Sequence, residues 1–274
     1  MALQSVSGRL AGRLLARGFE FSTEALQFQT GDGLRWPGGN VRVQHQSAEG
    51  RTPAKGELSA DRLDLAALSQ IANRLPFDPE SRSQLQTLVP KGMVERLRLS
   101  WQGTAQAITK YEAKGRVVQF ELASRPAAPV PPKGAASAAV ASSSVGVPGV
   151  SGLSADFEFT QAGGQASVVV QDGAIDLPGV FEDPVVRMAQ LASDVKWQVT
   201  DGRIAVQVPN LKFNNADAQG EAQIKWETAD PSRSGARSRF PGVLDLQASL
   251  SRANGTKVHR YLPLVIPDSA RHYV

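Results

Sequence analysis

The amino-acid pattern predicts a mainly β chain: a long antiparallel meander carrying a small helical insert. Three observations lead there. Apolar and polar residues alternate with period two in stretch after stretch, and turn dipeptides separate those stretches. Helical spacing is confined to about 25 residues. Repeated alternation of this kind describes antiparallel strands with one apolar and one wet face.

Taken in order, residues 1–19 hold three Arg and no acid. Arg9, Arg13 and Arg17 break any apolar signal core, and Gly8, Gly12 and Gly18 weaken the amphipathic helix of a mitochondrial presequence. Leu26-Phe28 and Val41-Val43 are strand candidates. Between them, Gly31-Asp32-Gly33 lacks the third glycine of a dinucleotide fingerprint and reads as a turn. Leu65, Leu68, Ile71, Ala72 and Leu75 then fall at helical spacing. They predict a helix over 61–75, with Asp61 and Asp64 capping its start and Pro76 ending it. Asp78-Pro79-Glu80 opens a second short helix to about Leu88, closed by Pro90 and Gly92. Leu97-Leu99-Trp101 and Val118-Phe120-Leu122 are further strands, with Arg96 and Arg98 on the wet face of the first.

Arg125–Gly149 interrupts this pattern. Seven Ala, five Pro, four Ser and three Gly make up most of it, a linker composition. It either separates two segments or loops out of one continuous sheet. The expected organisation is 1–124 with its helical insert at 61–89, a flexible run at 125–149, and 150–274. Gly134–Ala155 lacks any charge, but its Ala, Ser and Gly content and Pro148 make it a poor membrane span.

The third part alternates most cleanly. Leu153, Ala155, Phe157 and Phe159 define one strand; Val195, Trp197 and Val199 another; Ile204, Val206 and Val208 a third. Ala222, Ile224 and Trp226, then Leu244, Leu246, Ala248 and Leu250, complete the set. Gly163-Gly164, Asp172-Gly173, Asp201-Gly202 and Asn214-Asn215 are the turn signals, and the third predicts a two-residue hairpin.

The side-chain inventory narrows function by exclusion. With no cysteine, thiolate nucleophiles, disulfide scaffolds and Cys-based metal centres are absent. His45, His259 and His272 lack the short spacing of paired zinc ligands. There is no phosphate-binding Gly-Lys-Ser/Thr loop and no Gly-x-Ser-x-Gly elbow. A net charge of +4, spread along the chain, gives no nucleic-acid footprint. No catalytic, metal or cofactor-binding residues are assigned, and no enzyme is expected.

Several phrases carry a family likeness. They are Phe21-Ser22-Thr23-Glu24-Ala25-Leu26-Gln27-Phe28 with Asp32-Gly33-Leu34-Arg35-Trp36-Pro37-Gly38-Gly39-Asn40, then Gly56-Glu57-Leu58-Ser59-Ala60-Asp61-Arg62-Leu63-Asp64-Leu65. Phe213-Asn214-Asn215-Ala216-Asp217-Ala218-Gln219-Gly220 is another. The most distinctive is Val258-His259-Arg260-Tyr261-Leu262-Pro263-Leu264 with Ala270-Arg271-His272-Tyr273-Val274. Together they resemble the central region of the YhdP-type AsmA-like envelope proteins of Gram-negative bacteria.

The resemblance implies a curved β-groove in the periplasm that shields phospholipid acyl chains between inner and outer membrane. It also implies that this chain is a fragment. The family carries an inner-membrane anchor and further segments, which would be partners of this one, while no transmembrane helix is read here. By themselves the residues favour a β-sandwich, since a one-sided sheet must cover its apolar face; the resemblance favours an open trough. On that reading Phe157, Phe159, Trp197, Val199, Ile204, Val206, Ile224, Trp226, Leu244, Leu246 and Leu250 line one concave face. A structural scaffold with a filled interior is the alternative.

Overall fold

The computed structural model describes residues 3–72, 89–104, 107–126, 146–230, 242–264 and 266–271. Thirteen strands form a single open, curved, antiparallel sheet. In chain order they are β1 (Leu3–Leu15), β2 (Gly18–Thr30), β3 (Arg35–Trp36), β4 (Val41–Gln46) and β5 (Lys55–Asp64). There follow β6 (Lys91–Thr104), β7 (Ala107–Leu122), β8 (Gly149–Thr160), β9 (Gly163–Asp176) and β10 (Val185–Thr200). The series ends with β11 (Arg203–Asn214), β12 (Ala218–Glu227) and β13 (Val243–Ala253). Each strand pairs with the next in sequence, except that the two-residue β3 folds back on β2 and leaves β4 beside β2. The result is a meander without crossovers. Among the described residues no second sheet lies over it, and the single open sheet replaces the sandwich alternative.

Local chemistry explains both the pairing and the bend. Asp201 and Gly202 take φ of 52° and 73°, as a two-residue hairpin of type I′ requires, and Thr200 pairs with Arg203 across them. Ala25, Arg96 and Gln119 also have positive φ, inside β2, β6 and β7, where the register shifts. Such bulges increase twist and bend a strand, which curves a sheet built from otherwise regular ladders. They also reset alternation. Val117 pairs with Ala155 and Phe120 with Leu153, so the bulge at Gln119 brings 117 and 120 into the same apolar series in place of 118 and 120.

The predicted helix over 61–75 is shorter than its spacing suggested. Asp61–Asp64 belong to β5, where Arg62 pairs with Glu95 and Leu63 with Val94. Ladder pairing outweighs the weak propensity of that stretch. Helix α1 is Leu65–Ala72. The Asp64 carboxylate caps it by accepting from the Ala67 N–H at 2.9 Å, whereas Asp61 accepts from the backbone and side chain of Asn40. The expected second helix at 78–88 lies outside the described residues. So does 127–145 of the Ala/Pro/Ser run, whose flanking strands β7 and β8 pair directly.

Two expected turns are strand. Gly163 and Gly164 open β9 just past the Gln161-Ala162 turn, and Asp172-Gly173 sit inside β9, with Asp172 at φ 47° beside a register shift. Beyond β13, a 3-10 helix η1 (Gly255–Tyr261), capped by Asn254, and a short helix α2 (Asp268–Arg271) run along the sheet rim. Leu3–Leu15, unassigned from sequence, is the exposed edge strand β1.

A buried cluster of side chains sits at the same rim. Trp36, Ala60, Leu63, Ala67 and Val94 are each under a tenth exposed. Leu26, Phe28, Leu68 and Ile71 pack around them, with the Phe28 and Trp36 rings stacked at 6.4 Å.

Candidate functional site

Residues directly opposite in an antiparallel ladder project to the same face. Following those partners across the sheet gives an unbroken row. It runs Gly12, Phe21, Val43, Leu58, Leu99, Ala113, Phe159, Gly164, Trp197, Val206, Trp226 and Leu244. No member is polar. At about 4.8 Å per strand the row spans roughly 50 Å.

Neighbouring rows repeat its character. Gly115, Phe157 and Ala166 are successive partners, as are Ile224 and Leu246, and Val199 pairs with Ile204. Nearer the other rim run Phe120, Leu153, Val170, Leu191, Phe213, Gly220 and Leu250. The eleven side chains anticipated from sequence therefore share one face. Eight are half-buried; Leu244, Leu246 and Leu250, on edge strand β13, are 55–60% exposed.

Aromatic rings form a continuous band at the middle of this face. Tyr111 meets Phe159 edge-on at 6.3 Å, and Phe159 touches Phe157 at 5.6 Å and Trp197 at 6.2 Å. Each such pair adds to the area it buries. Two glycines make the room. A Cβ on Gly164 would collide with Trp197 and Phe159, and one on Gly56 would lie inside the Trp101 indole. Reading Gly163-Gly164 only as a turn misses this, because the close approach comes from a strand that follows over thirty residues later.

The first half of the chain supplies as much of the face as the second, through Phe21, Val43, Leu58, Leu99 and Trp101. The alternation at Val43, Leu99 and Trp101 was visible in the sequence, whereas Phe21 and Leu58 lay outside the predicted strands, and which strands would adjoin β8–β13 was not visible. His45 is half-buried on the same face, 5.6 Å from the Phe19 ring and opposite Gly56.

The other face is charged, and its charges are paired across strands. Asp156 receives both Arg116 at 2.6 Å and Arg96 at 3.3 Å, and Lys114 lies 3.4 Å from Glu158. These groups border a depression of about 700 Å³ together with Arg98, Asp194 and Lys196. Hydrogen bonds from Ser167 and then Asn210 hold the Asp194 carboxyl below the usual range. Internal compensation leaves this side as a solvated surface of weak ion pairs.

At the rim, Arg260 of η1 bridges two carboxylates, Asp183 at 2.6 Å and Asp217 at 3.1 Å. The Tyr261 hydroxyl donates to Asp217 at 2.8 Å and accepts from Asn215 at 3.1 Å. Arg260 holds the Asp183 carboxyl low, while burial and the Asp217 hydrogen bond push the Tyr261 phenol up. The distinctive closing stretch of sequence is thus a polar clasp between η1 and two loops.

Among the described residues, no three His, Asp or Glu gather as metal ligands, and no helix is long and apolar enough to cross a membrane. Comparison with curated proteins and with solved structures returns no match. The family model described as YhdP protein matches residues 1–274. A match over the whole chain, on an open curved sheet with one apolar face, settles the family: the chain belongs to the YhdP protein family of AsmA-like cell-envelope proteins.

Proposed function

We propose that the apolar face holds phospholipid acyl chains in the periplasm, as one segment of a route between the inner and outer membranes. The observation that carries this reading is the unbroken apolar row across twelve strands, with no second layer over most of it among the described residues. Each methylene moved from water onto such a face contributes about 0.8 kcal/mol, so a single tail gains several kcal/mol. The face offers no pattern of donors and acceptors, so it discriminates poorly among headgroups. The protein's part is to bind and shield; no bond is made or broken.

A scaffold reading draws on a different observation, the two uncovered edge strands β1 and β13, which suit docking of other chains. Native mass spectrometry separates the two. Lipid carriage predicts phospholipid co-purifying with the chain and lost from Val206→Asp, which puts an unpaired carboxylate on the row. A folded, lipid-free protein would favour the scaffold.

A further inference from the structure

The apolar face is not free along its whole length. Over β5 and β6 it is covered by α1, whose Ala67 is 4% exposed and packs with Ala60, Leu63 and Val94 of the sheet. Leu65, Leu68 and Ile71 of the same helix surround that contact, and Trp36 of β3, paired beside β2 in the sheet, joins the same cluster. No comparable cover lies on the face over β8–β13 among the described residues, where Val206 and Trp226 are half-buried and Leu244 and Leu246 exposed.

We infer that α1 is a built-in stop on the lipid-holding face: its own apolar side chains take the place of tails over β5–β6. The inference rests on the lipid reading above. Two features suit the helix to this role. It is a well-formed but short element, held by the Asp64 cap and by the Ser69 hydroxyl donating to the Leu65 carbonyl at 2.8 Å. Apart from the Asp64 cap at the end of β5, its contact with the sheet is apolar, with no further hydrogen bond to strand side chains among those described, so it can be exchanged for another apolar occupant at little cost in polar pairing.

The consequence is a divided face. From β8 to β13 five inter-strand spacings give roughly 24 Å of surface without such cover among the described residues. One leaflet's tails occupy about half of a 30 Å bilayer core, so that stretch is long enough for a tail lying across the strands. Past β7, a tail must displace α1 or keep to the opposite rim, where Leu99 and Trp101 continue the rows. α1 therefore sets where tails stop and which rim they pass.

The test places a photo-crosslinking residue at Leu97, beside the covered patch, and separately at Val206, on the uncovered stretch. The full chain is incubated with vesicles of phosphatidylethanolamine and phosphatidylglycerol bearing radiolabelled acyl chains. If α1 lies on the face in all but about a tenth of molecules, adducts at Leu97 fall about tenfold below those at Val206. Loosening the helix with Leu68→Ser and Ile71→Ser is expected to raise the Leu97 adduct to the Val206 level. Asp64→Ala, which removes only the cap, gives a second route to the same change, and Val206 labelling reports in each variant that the sheet has formed. Equal labelling at both positions in the unaltered chain overturns the stop while leaving lipid binding intact. A Leu97 signal that stays low in both loosened variants overturns it too. Absence of adducts at Val206 in the unaltered, folded chain overturns the lipid reading instead.

Discussion

Gly164 lies directly opposite Trp197 in the β9–β10 ladder, and the indole fills the space a side chain at 164 would need. A Cβ built there comes within 2.7 Å of Cζ2 of Trp197. The same arrangement recurs at Gly56 beneath Trp101. In both cases a glycine lets a large ring lie flat along the apolar row, keeping the face shallow and continuous.

Gly164→Val is expected to destabilise the chain by about 1–3 kcal/mol, the usual cost of forcing volume into a packed contact. Urea unfolding followed by tryptophan fluorescence measures it, with a shift in native emission as Trp197 is lifted from the sheet. Gly255→Ala, where a Cβ meets nothing within 4 Å, serves as the neutral control.

The clasp at the rim makes a pH prediction. The Asp183 carboxyl is held below its ordinary value of 3.8 by Arg260. A lowered acid binds fewer protons folded than unfolded, so its contribution is complete above about pH 4 and disappears as pH falls through the folded value. Hydrogen exchange over residues 255–264, taken relative to the intrinsic amide rate at each pH, should stay slow at pH 5 and accelerate below pH 4. Asp217→Asn combined with Arg260→Ala should accelerate it at neutral pH as well, leaving β8–β10 protected.

Edge strands give a third expectation. β1 is exposed at every position and β13 likewise, each with a backbone edge that is unpaired among the described residues. Open edges with apolar side chains recruit other strands. Self-association, followed by sedimentation velocity, is expected for this chain, and Leu246→Lys on β13 should reduce it. Monodisperse monomer at high concentration would contradict the expectation.

Much of this was legible in the sequence, and what was not has identifiable physics. Alternation at Val195, Trp197 and Val199 and at Ala222, Ile224 and Trp226 exposed the strands and their apolar side, because the side-chain period of a strand is two. The hairpin at Asp201-Gly202 was legible because only such residues take positive φ in succession. Helix α1 was overextended at Asp61–Asp64, since helical spacing of Leu65, Leu68 and Ile71 says nothing about ladder partners on another strand. Edge strand β1 escaped notice because Gly8 and Gly12 interrupt its alternation. The role of Gly164 was hidden for a related reason: it depends on Trp197, brought opposite only when β9 and β10 pair. Local pattern is carried by neighbours in sequence, whereas register is a property of two strands at once.

The most direct measurement of the central claim uses two adjacent residues of β11. Val206 lies on the apolar row between Trp197 and Trp226, and Gln207 projects to the opposite face between Lys196 and Lys225. A photo-crosslinking residue is placed at each in turn, the chain is irradiated in cells, and adducts are identified by mass spectrometry. Lipid carriage predicts phospholipid adducts at 206 and none at 207. Equal labelling at both positions, or none at either in a folded chain, would contradict it.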